Sequence, residues 1–121
     1  MSLTILKTDR KDPANPLEGA QFTLTKDGAD LGTYSTNSGG TVTLPMLTTG
    51  TYILTETIPP AGYRGLTEPI RLRVEAGTIT DVTPDASGTS FWKLTGSGAY
   101  TLTVTNAIDY ELPSVGGAGI Y

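Results

Sequence analysis

The chain predicts an all-β fold, a two-sheet sandwich, on three observations. Apolar residues alternate with polar ones, mostly threonines, in run after run, which is how a strand with one buried face reads. Gly, Pro, Asn and Asp break these runs at short intervals, as turns require. Strands this short, joined by regular turns, favour two packed sheets.

The first strand is expected near 3–8, where Leu3, Ile5 and Lys7 alternate with Thr4, Leu6 and Thr8. A short helical turn is expected around 12–18. Strands near 20–26 and 31–36 flank Lys26-Asp27-Gly28-Ala29, a hairpin turn signal. Ser38-Gly39-Gly40 leads into a fourth strand near 41–45, and Thr48-Thr49-Gly50 into a fifth near 51–57. In the sixth, near 69–75, Ile70, Leu72 and Val74 alternate with Arg71 and Arg73, giving one wet face. Ala76-Gly77 separates it from a seventh near 78–83. Residues 84–98, built around Phe91-Trp92-Lys93-Leu94, are expected to form an additional hairpin with a strand near 90–95, and a last strand is expected near 99–106. Trp92 is expected to pack on a sheet, as large aromatics mostly do; exposed, it would contact a ligand. Residues 1–109 thus read as one sandwich domain, and the Pro- and Gly-containing stretch 110–121 as a flexible tail.

A length of 121 residues suits one domain with a single core, and 37% hydrophobic against 17% charged residues suits a folded one. The net charge of -4 argues against general nucleic-acid or anionic-membrane binding. With no Cys and no His, disulfides, thiol nucleophiles, Ser-His triads and the usual zinc ligands are all removed, and no cofactor is expected. The opening Met1-Ser2-Leu3 fits an expression start, so the chain reads as an excised part of a longer protein.

Three strands carry one polar residue on their apolar face. Lys7 follows Leu3 and Ile5, Glu56 follows Tyr52 and Leu54, and Asn106 follows Leu102 and Val104, each at period two. An amine, a carboxyl and a carboxamide directed into a core are costly unless they meet one another. Alternation alone favours the ordinary solution, a buried Lys7–Glu56 ion pair with Asn106 as a hydrogen-bonding neighbour.

Three stretches together resemble a Cna B-type domain of Gram-positive pilins and surface adhesins. Leu3 to Asp9 followed by Pro16-Leu17-Glu18-Gly19-Ala20-Gln21-Phe22 resembles the start of such a domain. Tyr52-Ile53-Leu54-Thr55-Glu56-Thr57-Ile58-Pro59-Pro60-Ala61-Gly62-Tyr63 resembles the E-box, with Pro59 where Ala is usual, and Leu102 to Asn106 resembles the closing strand. The resemblance implies an immunoglobulin-like, prealbumin-like sandwich and a spontaneous intramolecular isopeptide bond. It maps the lysine onto Lys7, the asparagine onto Asn106 and the assisting acid onto Glu56. Burial lowers a lysine's pKa and frees its lone pair, and a buried carboxyl tends to the neutral form that can relay protons. Strands that hold the groups in contact supply a high effective molarity. The expected chemistry is a single turnover, with ammonia leaving, rather than that of a multiple-turnover enzyme. Force between the termini would then run through Lys7, the bond and Asn106.

In the tail, Leu112-Pro113-Ser114-Val115-Gly116 resembles a sortase sorting signal, with Val115 where Thr is usual. Sortase, other pilin subunits and cell-wall peptidoglycan are therefore the expected partners, and an extracellular, wall-anchored or pilus location is implied. No pilin-type lysine motif for intermolecular linkage stands out; Lys11, Lys26 and Lys93 qualify only by expected exposure. The competing expectation is a module that binds a host matrix protein or glycan through Trp92 or exposed loops.

Overall fold

Period-two patterning becomes nine strands in the computed structural model, which describes residues 1–84 and 91–110. They are β1 (Ser2–Asp9), β2 (Gln21–Lys26), β3 (Ala29–Ser35), β4 (Thr41–Thr43), β5 (Gly50–Ile58), β6 (Ile70–Glu75), β7 (Thr78–Asp81), β8 (Trp92–Ser97) and β9 (Ala99–Asn106). One sheet has the order β4-β1-β9-β8 and the other β3-β2-β5-β6-β7. Their inner faces share one core that includes Leu3, Ile5, Phe22, Leu54, Ile70, Leu72, Leu102 and Val104.

Local chemistry explains the joints. At β2–β3 the turn residues Asp27 and Gly28 have φ of 50° and 88°, and at β6–β7 Ala76 and Gly77 have 52° and 79°. Two consecutive positive φ values match the right-handed strand twist of a two-residue hairpin. Arg71 and Arg73 are half-buried on the outer side of β6, while Ile70, Leu72 and Val74 are buried. β4 is shorter than expected and stops ahead of Pro45, which has no N–H for a ladder.

Residues 12–18 do not form the expected helical turn. Asn15 N donates to Asp12 O at 2.9 Å, closing a single turn, and Pro16 then bridges Thr8. Pro13 and Pro16 explain this, since the residue before a proline is pushed away from helical geometry. The segment expected to form an additional hairpin supplies β8, which pairs antiparallel with β9 from Trp92↔Val104 to Ser97↔Ala99.

The decisive pairing is β1 with β9, which is parallel and runs from Ser2↔Ala99 to Asp9↔Asn106. Lys7 stands opposite Val104, so Asn106 is its diagonal neighbour on the same inward face. Across the core, β5 carries Glu56 opposite Phe22 of β2, just beyond a register shift between Gln21 and Phe22.

Candidate functional site

Lys7, Glu56 and Asn106 meet at one end of the core. Lys7 and Asn106 are fully buried, and the relative exposure of Glu56 is 9%. Lys7 Nζ lies 3.0 Å from Glu56 Oε2, with no exposed surface on either side chain. Asn106 Nδ2 donates to Glu56 Oε1 at 3.2 Å and to the Thr105 carbonyl at 3.2 Å. The Phe22 ring closes the apolar side, its centroid 5.6 Å from Lys7 Nζ. Lys7 is also held through its backbone: its N–H donates to Gly40 O at 2.7 Å, and its carbonyl accepts from Leu17 N at 2.9 Å.

Desolvation by burial pulls the Lys7 pKa from 10.5 down to about 8; the Glu56 carboxylate opposes this and nearby Arg10 adds slightly to it. An amine tuned this far gives up its proton readily near neutral pH. Several atoms here are buried without a hydrogen-bond partner: Lys7 Nζ, Glu56 Oε2 and Asn106 Oδ1. The 3.0 Å approach of Nζ to Oε2 is thus a charge contact rather than an aligned hydrogen bond. A buried ion pair that only supports the fold gains from filling its donors and acceptors, and this one does not.

Glu56 is steered by the segment that follows β5. Leu66 N donates to Oε1 at 2.7 Å, so Oε1 takes two N–H bonds while Oε2 faces the amine. A Cβ on Gly65 would stand 3.4 Å from Oε1, which shows how closely the backbone approaches. The same segment lies against the chain beyond Asn106: Arg64 N donates to Ala107 O and Asp109 N to Gly62 O, each at 2.9 Å, and Tyr63 bridges Ile108. Tyr63 donates its hydroxyl to Asp9 Oδ2 at 2.7 Å. Asp9 Oδ1 accepts from Lys11 N at 2.7 Å and Asp12 N at 3.0 Å. The bond from Tyr63 and these amide bonds hold the Asp9 carboxyl below its usual pKa.

Arg10 caps the outer side of this end. It stacks on Phe91 at 3.7 Å and donates from Nε and Nη2 to Thr105 Oγ1 and O at 3.2 and 3.1 Å.

Trp92 is buried, with 5% of its surface exposed. Its indole N–H donates to Asp81 Oδ2 at 2.8 Å, tying β8 to the end of β7 in the opposite sheet. The ring fills core space and is not presented to a ligand. Lys93 is exposed, Lys11 is exposed with its amine 5.9 Å from the Tyr110 ring centroid, and Lys26 is half-buried with its amine bonded to Thr48. Leu112, Pro113, Ser114, Val115 and Gly116 lie outside the described residues. Sequence reasoning missed Asp9 and the Leu66 amide, and gave Tyr63 no role although it closes the E-box. Nothing in the sequence marks a backbone N–H as a carboxyl's partner.

A family model, the SpaA prealbumin-like fold domain, matches residues 1–87. The chain belongs to that family. Solved structures repeat the fold of this SpaA-type domain. The pilus adhesin SpaC from Lactobacillus rhamnosus GG in its open conformation matches with a TM-score of 0.71 at 23% identity, covering 93% of this chain and 15% of that one. The group B streptococcus pilus 2b backbone protein matches with 0.67 at 27%, covering 93% and 43%. BcpA, the major pilin subunit of Bacillus cereus, matches with 0.64 at 18%, covering 89% and 30%. The domain therefore spans less than half the length of these structures. No curated protein matches it.

Proposed function

We propose that the chain is a structural domain of a Gram-positive pilin or surface adhesin, displayed outside the cell and locked by an isopeptide bond between Lys7 and Asn106. One observation carries the reading: amine, carboxyl and carboxamide, from three strands and both sheets, converge in a buried apolar site with Nζ 3.0 Å from one Glu56 oxygen and Nδ2 3.2 Å from the other. The pilus proteins that share the fold support the setting.

Glu56 takes a proton from the Lys7 ammonium, leaving a neutral amine. The Nζ lone pair attacks Cγ of Asn106, forming the Nζ–Cγ bond. The carboxyl passes protons to Nδ2, the Cγ–Nδ2 bond breaks, and ammonia departs. Glu56 then releases to solvent the proton it first took, so the sum is ammonium plus carboxamide giving secondary amide, ammonia and one proton. Proximity supplies much of the rate, because the fold has already fixed both reactants. A cleft lined by Arg10, Arg64, Gly65, Leu66 and Phe91 lies beside the segment whose Leu66 amide holds Glu56. The protein works on itself once and is not a turnover enzyme.

Within this reading, sortase joins the chain through Leu112 to Gly116 to the wall or to another pilin subunit. Incubation with a sortase and an amine nucleophile should release the residues after Val115. An uncleaved chain would remove that part of the reading without touching the bond.

Intact mass under denaturing conditions tests the bond. Wild type should be lighter than its sequence by one ammonia, with a cross-linked peptide joining Lys7 to Asn106, and Glu56→Ala should have its full mass. A wild type at full mass would overturn the reading.

A further inference from the structure

We infer that Tyr63 is a positioning residue for bond formation: bonded to Asp9, it holds residues 62–66 so that the Leu66 amide occupies one oxygen of Glu56 and turns the other toward Lys7. The inference rests on the reading that the bond forms. Asp9 is two residues beyond Lys7 on β1 and directly opposite Asn106 on β9. Tyr63 is seven residues beyond Glu56 and three before Leu66. The Tyr63–Asp9 bond of 2.7 Å therefore links the three chain segments that deliver the three reacting groups.

The link reaches the chemistry through few steps. Arg64 N and Gly62 O, on either side of Tyr63, bond Ala107 O and Asp109 N, just past Asn106. Two residues further on, Leu66 N holds Glu56 Oε1 at 2.7 Å. An oxygen that accepts two N–H bonds is a poor place for a proton, so the proton from Lys7 is received at Oε2, the oxygen 3.0 Å from Nζ. If the 62–66 segment loosens, the carboxyl rotates freely, and the amine loses the oxygen it faces while Asn106 loses its anchor. Misplacement of a reacting group by about 1 Å can slow a proximity-driven step by as much as about 100-fold.

The test follows ammonia loss over time. The full chain is made by cell-free synthesis, and aliquots are quenched into denaturant for intact mass, at a temperature where circular dichroism shows every variant folded. Tyr63→Phe should bond about 10- to 100-fold more slowly than wild type. Asp9→Ala should be slowed similarly, and Asp9→Asn should recover most of the rate, because its amide can donate to the tyrosine oxygen. Ile79→Val, which thins the core at β7, should bond at the wild-type rate although it is less stable. Tyr63→Phe and Asp9→Ala bonding as fast as wild type would overturn the inference and leave the proposed bond intact, as would equal slowing by Ile79→Val. A wild type that never loses ammonia would overturn both. Should Tyr63→Phe fail to fold, the contrast between Asp9→Ala and Asp9→Asn decides alone.

Discussion

Asn106→Ala removes the electrophile while leaving the Lys7–Glu56 contact in place. The bond would close a loop of about 100 residues, from Lys7 to Asn106, and in the chain-entropy treatment used for disulfides that closure is worth about 4–5 kcal/mol. For a domain of this size losing that closure lowers Tm by roughly 15–20 °C. Calorimetry of wild type beside Asn106→Ala, each with its mass confirmed, measures the difference. The direction also holds in urea, where the midpoint should fall. If wild type has lost its ammonia and yet Asn106→Ala melts within a few degrees of it, the loop-closure reasoning is wrong and the bond serves something other than equilibrium stability.

Further expectations concern single groups. In Asn106→Ala, Lys7 keeps its amine, with a folded pKa of about 8 against 10.5 unfolded. Between those values the unfolded chain holds a proton that the folded one lacks, so stability climbs as pH rises from about 8 to 10.5, by at most ~3 kcal/mol; below pH 8 the full penalty persists. Tm against pH should show this climb in Asn106→Ala, and bonded wild type, whose Nζ is an amide, should lack it. Gly40→Ala should cost at least about 2 kcal/mol in urea unfolding, because φ is +76° and the new Cβ would sit 2.7 Å from Lys7 O and 2.8 Å from Pro16 Cβ. Trp92→Phe should lose about 1–2 kcal/mol with its bond to Asp81, read by urea unfolding followed by circular dichroism.

Period two made much of this molecule legible in its sequence. It located the strands and picked out Lys7, Glu56 and Asn106, because an inward polar residue on an apolar face is a local pattern that needs no knowledge of which strands become neighbours. The parallel β1–β9 register was not legible, since nothing within either strand encodes a partner about a hundred residues away. Residues 12–18 failed as a helical turn because Pro13 and Pro16 impose extended geometry on the residues ahead of them. The Leu66 amide escaped because backbone donors carry no letter in the sequence. Asp9 escaped because its partners, the Tyr63 hydroxyl and the amides of Lys11 and Asp12, converge only when the loops are in place.

Lys7, Glu56 and Asn106 come from the first, a middle and the last strand, and this spacing would make the proposed chemistry a checkpoint on folding. During synthesis β1 emerges first, and until β9 arrives it has only β4 beside it. Lys7 then remains wet, protonated and unreactive, since only the closed core strips its water and draws its pKa toward 8. A chain whose last strand pairs out of register by one residue turns Asn106 to the opposite face, out of reach of the amine. Such a chain stays free to unfold and try again. Only the correct topology brings the groups together, and the proposed bond would then write the decision covalently, beyond reversal by unfolding.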